Sequence, residues 1–240
     1  MLSFRIFTHF LLIALAGCSL QPKLLLVDGE RKFTQESNGA LKGAEGFTTS
    51  QIQTIKGLLG GARFPVPNYL KDILTDDYDA VDGEELIVLE PVKVIVTTDS
   101  PIFRWKPVSG MNSYQVLIRD HRDIVVKRSG TIAETEWTPS RPLAQGEVFH
   151  WRVIAGKGKE EAVSHWTKFA VPGEAALAEI DATRKLGSRL LLAIAYARCG
   201  ALSSADKELA ELERTNVGSD LVKRWRGELQ PGELKPNALR

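Results

Sequence analysis

The segment Phe149–Ala155 alternates strictly, with Phe149, Trp151, Val153 and Ala155 on one side and His150, Arg152 and Ile154 on the other. A helix would scatter these residues around its circumference. A strand lays them on one face, and bulky apolar groups on that face require a second layer to cover them. Tyr114, Val116 and Ile118 repeat the pattern against Gln115, Leu117 and Arg119. Around these two strands lie shorter apolar or β-branched runs at Leu86–Leu89, Val92–Val96, Ile102–Trp105, Ile124–Lys127, Trp137 and Ala162–Val171. Turn signals separate them at Pro107–Asn112, Asp120–Asp123 and Gly156–Lys159. About seven short strands with a turn every ~8–12 residues predict a β-sandwich over residues 84–172.

The same stretch resembles the fibronectin type III or immunoglobulin-like modules of bacterial envelope proteins over residues 90–171. The resemblance is carried by Pro101-Ile102-Phe103-Arg104-Trp105, Gly110, Ser113-Tyr114-Gln115-Val116 and Glu136-Trp137-Thr138-Pro139. It continues through Leu143, Gly146, Phe149-His150-Trp151-Arg152-Val153 and Phe169-Ala170-Val171. Trp105, Tyr114, Trp137, Phe149, Trp151 and Phe169 supply the apolar volume that two facing sheets need. The paired cysteines of an antibody-type sandwich are missing, so packing alone must hold it. Such modules serve as spacers, adhesins and sugar binders, so the resemblance speaks to fold and not to function.

Residues 1–17 read as an address. Arg5 is followed by a short apolar stretch, Phe10–Ala16, far below the ~20 residues a spanning helix needs. The stretch runs into Leu15-Ala16-Gly17-Cys18, which resembles the bacterial lipobox. The resemblance implies cleavage between Gly17 and Cys18, acylation of Cys18 (palmitate among the chains), and a three-chain lipid anchor. One chain anchors only marginally at ~0.8 kcal/mol per buried methylene, but three make attachment effectively permanent. Ser19 in the following position implies, by the same resemblance, export to the outer membrane; a periplasm-facing orientation is expected in preference to the cell surface. Cleavage removes Arg5 and leaves Lys+Arg and Asp+Glu equal. With Cys18 committed, Cys199 has no intramolecular partner and must be buried to survive as a free thiol.

Residues 18–46, mostly polar apart from Leu24–Val27, read as a lipidated tether. Residues 47–83 read as a short helix and an irregular segment: Thr49 or Ser50 caps a helix carrying Ile52, Ile55 and Leu58-Leu59, and Gly60-Gly61 ends it. The acidic run Asp76-Asp77-Tyr78-Asp79 with Asp82-Gly83 meets calcium-loop spacing only loosely, and a solvated loop is the preferred reading. From Gly173 the composition turns to Ala, Leu, Glu and Arg, predicting one helix over Glu174–Arg198, a second capped by Ser203 or Ser204, and a third capped by Ser219. Leu192, Ala193, Tyr196, Gly200, Ala205, Leu209 and Leu212 resemble a single tetratricopeptide repeat over residues 186–219. Val217 stands where that pattern has proline and Arg189 where it has an aromatic. The expected fold is thus an all-β sandwich followed by a tetratricopeptide-like helical segment, 173–230, and a disordered tail, 231–240, in a multi-part α+β chain.

The chain carries 31 Lys+Arg against 30 Asp+Glu, without the basic excess of a nucleic-acid binder. His150 and His165 each precede a tryptophan, but no third ligand follows by spacing, so no metal is expected. No phosphate loop, nucleophile elbow or other catalytic constellation is present, and neither catalysis nor a cofactor is expected. The candidate binding residues are Trp166, which parity leaves undecided between core and surface, and Trp225 on the last helix; Trp137 is read as core. The expected function is a non-catalytic envelope lipoprotein that holds a partner protein through its sandwich or a groove of its helical hairpin. The alternative is a module binding peptidoglycan or exopolysaccharide. An exposed line of aromatics would favour sugar, and an apolar helical groove would favour protein.

Overall fold

The computed structural model describes residues 23–67 and 86–229. The lipobox with Gly17 and Cys18, the acidic run 76–83 and the tail 231–240 lie outside them. The chain opens with a meander of β1 (Lys23–Asp28), β2 (Arg31–Gln35) and β3 (Leu41–Lys42), followed by α1 (Thr49–Leu59). A three-stranded sheet follows in the order β4 (Val88–Glu90), β6 (Phe103–Trp105), β9 (Glu136–Trp137). A six-stranded sheet runs β5 (Val94–Ile95), β12 (Thr167–Ala170), β10 (Val148–Lys157), β7 (Ser113–Asp120), β8 (Val125–Arg128), with β11 (Glu160–Val163) also paired to β10. Four helices close the chain: α2 (Glu174–Lys185), α3 (Arg189–Cys199), α4 (Leu202–Thr215) and α5 (Asp220–Glu228).

The alternation in β10 is expressed directly: Phe149, Trp151, Val153 and Ala155 are buried, while His150, Arg152 and Ile154 are half-exposed. β7 runs antiparallel to it, with Trp151 opposite Ile118 and Val153 opposite Val116. Phe103 and Trp105 of the three-stranded sheet share one core with Tyr114, Phe149, Trp151 and Phe169. Phe103 meets Trp151 edge-on at 4.9 Å and Phe169 at 5.4 Å, the offset geometry that ring quadrupoles favour.

The whole does not follow the expected fold class. It is an α+β structure in which three sheets and five helices, among the described residues, share packing. An all-β sandwich with a tetratricopeptide-like appendage does not describe it. The sequence places residues 18–46 in a tether, whereas residues 23–42 form the meander. Leu26 and Phe33 are fully buried in one core with Ile55, Leu58, Leu190, Ala193 and Leu209. Beyond the short run Leu24–Val27 the apolar residues there are too widely spaced to announce a core, and they gain burial against α1 and against helices more than a hundred residues further along the chain. Ile95 and Ala170 of the six-stranded sheet belong to that same core, and Leu177 of α2 belongs to the sheet core. The helices therefore dock on the sheet edge and do not trail from it.

Local corrections follow the same logic. The predicted single helix 174–198 breaks at Leu186-Gly187, where Gly187 takes φ +66°, and restarts with Ser188 as N-cap, its hydroxyl accepting from Leu191 N–H at 3.2 Å. α1 is capped by Thr48, not Thr49 or Ser50, in a reciprocal box with Gln51. α4 starts at Leu202 behind Ala201, with no side-chain cap from Ser203 or Ser204. Left-handed Gly200 (φ +86°) delivers the chain so that Ala201 and Ala205 are buried, and packing decides the start where a cap was expected. Ser219 caps α5 as its spacing predicts.

α3 and α4 do form a hairpin, with Ala193 and Ala205 fully buried. Its flanks are occupied by the meander, α1 and α5, so it presents no open repeat surface. Ala193→Arg is therefore expected to loosen this shared core, since overpacking costs ~1–3 kcal/mol and the buried charge has no partner. Limited proteolysis should reveal new cuts both within 174–229 and within 23–59. Resistance equal to the parent would place Ala193 outside the helix contact.

Candidate functional site

The outer face of the six-stranded sheet brings several cationic side chains together. Strand register sets Arg119 opposite His150, His150 opposite Lys168, and Leu117 opposite both Arg152 and Arg128. All point away from the Trp151 side. Leu117 is nonetheless buried, on a face that alternation assigns to solvent, because cationic side chains flank it on either side. Trp166, in the link between β11 and β12, is half-buried. The guanidinium carbons of Arg119 and Arg152 lie 4.1 and 4.6 Å from its ring centroid. Arg119 and Arg152 are diagonal neighbours across β7 and β10, so a single ring can engage both. Asp123 sits 3.2 Å from Arg119 Nε, and Gln115 accepts from Arg128 at 3.2 Å. Trp166 is thus clasped by arginines and is not a bare platform. Trp166 is the one indole on this face among the described residues, and no line of exposed aromatics forms.

Trp225 is core, contrary to its expected place on a binding surface. It is fully buried, its ring 6.0 Å from Phe64, and its indole N–H has no hydrogen-bond partner among the described residues. α5 is pinned there by Arg226, whose guanidinium donates to both Asp206 carboxylate oxygens (2.8 and 3.1 Å) and to Glu213 (2.7 Å). Those bonds to Asp206 and Glu213 raise the Arg226 pKa far above its ordinary value. Trp137, read as core, is half-buried at the margin of the sheet core, its ring tilted against Phe103 at 5.7 Å. Cys199 is a free, buried thiol that donates to Tyr196 carbonyl at 3.2 Å. Burial pushes its pKa up, which suppresses thiolate chemistry.

His150 lies within β10, whereas His165 sits in the β11–β12 link; no group of three or more His, Cys, Asp or Glu among the described residues is placed to hold a metal. Two open clefts border the helices. One of about 350 Å³ lies between Thr97–Asp99, Gln145 and α2, where Asp181 pairs with Arg184 at 2.6 Å. The other, about 240 Å³, lies between Pro172–Ala176 and the end of α3.

The feature that the sequence reading missed is an edge. β8 is the last strand of the sheet order, and among the described residues no strand pairs with its outer side. Val125 and Val126 of β8 are exposed at 45 and 41%, and Ile124 just before the strand at 56%. The signal was present: three β-branched residues in a row followed by Lys127-Arg128, the cationic pair that often guards an exposed edge.

No protein-family model matches the chain, and no curated protein is significantly similar to it.

Proposed function

We propose that the protein is a non-catalytic envelope lipoprotein, anchored through acylated Cys18 to the outer membrane on the periplasmic side, that holds a partner protein. The anchor rests on Leu15-Ala16-Gly17-Cys18 after a short apolar stretch. Among the described residues no helix is long and apolar enough to cross a membrane. The observation that carries the interaction reading is the unpaired β8 edge with Val125 and Val126 exposed on it and Ile124 just before it. Such an edge accepts a strand of another chain through main-chain hydrogen bonds, with side-chain contacts adding selectivity. The peptidoglycan or exopolysaccharide reading draws less support, because Arg119 and Arg152 already lie against the one candidate stacking ring.

The test combines fatty-acid labelling with in-cell photo-crosslinking. Cys18→Ser should abolish the acyl label and release the protein from the membrane fraction. A photo-reactive residue at Val126 should give a discrete protein adduct, while the same residue at Val217, which is 90% exposed in the turn before α5, should not. Undiminished labelling of Cys18→Ser would remove the anchor. Equal adducts at both positions, or none at Val126, would remove the edge as the docking surface. Binding to insoluble peptidoglycan that is lost in Trp166→Ala would put the carbohydrate reading ahead.

A further inference from the structure

We infer that the end of the N-terminal meander carrying Lys23 and the β2–β3 turn rests on the lipid surface, so that the folded body stands against the bilayer. This placement depends on the reading of Cys18 as the acylated residue. Four residues separate Cys18 from Lys23, the first residue of β1. Five residue steps span at most ~18 Å even when fully extended. The headgroup layer on each side of the hydrocarbon core takes up ~5–8 Å of that reach. Folded structure therefore begins no more than ~13 Å beyond the headgroups, a fraction of what a 28-residue tether would allow.

The meander has two ends, and only one is available to the membrane. Asp28 is fully buried and accepts a 2.6 Å hydrogen bond from Ser188, and Arg31 donates to the Leu186 carbonyl at 3.3 Å. The β1–β2 turn is thus docked on the start of α3. At the other end Lys23 pairs with Gln35, and Gln35 with Leu41, which brings the start of β1 beside the turn 36–40. The ends are separated by the length of β1, ~17 Å at the usual strand rise. Lys23 is exposed and Leu24 is 54% exposed, giving this end a cation for anionic headgroups and an apolar side chain for their acyl boundary.

The experiment uses the acylated full chain in vesicles of phosphatidylethanolamine and phosphatidylglycerol doped with a nitroxide-headgroup lipid. A small fluorophore is attached to Ser37→Cys in the β2–β3 turn or to Glu30→Cys in the β1–β2 turn, both exposed positions. Quenching at position 37 should exceed that at position 30 by about twofold or more, given the strand-length separation. A flexible Gly-Ser insert of roughly 20 residues between Gln21 and Pro22 should erase the difference, because its coil length exceeds that separation. Equal or reversed quenching in palmitate-labelled protein would overturn the placement and leave the acylation reading standing. A parent chain that takes no palmitate and does not bind the vesicles would overturn both.

Discussion

Trp151→Ala is expected to unfold the two-sheet core. Trp151 is fully buried, meets Phe103 edge-on, and donates its indole N–H to the Pro91 carbonyl at 2.7 Å. Truncation removes the ring, opens a cavity that neighbouring rings cannot fill, and leaves that carbonyl without its donor. A buried Trp truncation costs ~3–5 kcal/mol against a total stability of ~5–15 kcal/mol. At ~2–4 °C per kcal/mol for a chain of this size, the melting temperature should fall by roughly 6–20 °C. Trp151→Phe separates the two contributions. It keeps most of the packing but loses the hydrogen bond, worth ~1–3 kcal/mol when the orphaned acceptor stays buried, together with part of the ring volume, and should fall between Ala and the parent. Thermal unfolding of both variants checks this order; a Trp151→Ala protein melting with the parent would mean the inward face of β10 is misassigned.

That face was legible because period two over a long strand leaves one solution: the residues that alternate apolar in β10 and β7 are the ones that are buried. The N-terminal meander was not legible. Leu26, Phe33, Ala44 and Phe47 are buried, but they are spaced among Lys, Glu, Asn and Gly, and their partners lie on α1, α3 and α4. Local composition reports on local company, and this core is assembled from both ends of the chain. Trp225 failed for a related reason. Its helix displays a clear apolar stripe, which the sequence cannot distinguish from a docking face until Phe64 is known to cover it. For Trp166, parity along the strand was silent because the residue lies in a link between strands. Its environment is set by two arginines on β7 and β10, a pairing fixed by register and not by spacing. The exposed β8 edge was readable as a strand but not as an edge, since strand order is a property of the whole sheet.

The second large effect is expected at Asp28, a residue with no apparent role in the sequence. It is fully buried at the end of β1, and its carboxylate accepts from the Ser188 hydroxyl at 2.6 Å, Arg189 N–H at 2.9 Å and Leu190 N–H at 3.3 Å. With Ser188 accepting from Leu191 N–H, the two side chains satisfy donors that the first turn of α3 leaves open. A carboxylate there also meets the positive end of the helix dipole, which contributes up to ~2 kcal/mol in partly buried settings. Asp28→Ala removes the acceptor, leaving a buried hydroxyl and two N–H groups without it. Charge-assisted bonds and stranded donors of this kind are worth ~1–3 kcal/mol each, without simple additivity, so a loss of about 3–5 kcal/mol is expected. Asp28→Asn retains one acceptor oxygen and forfeits the charge, and should fall between Ala and the parent. The denaturant midpoint should follow the order Asp, Asn, Ala, with faster hydrogen exchange at Arg189 and Leu190 in both variants. The meander should also become more open to protease at 23–42 than at 103–170, because this carboxylate is one of the ties that hold it to α3. If Asp28→Ala keeps the parental midpoint and exchange rates, the meander is held by its apolar face and by its other ties, Arg31 to the Leu186 carbonyl and Val27 to Asn216, without help from this carboxylate.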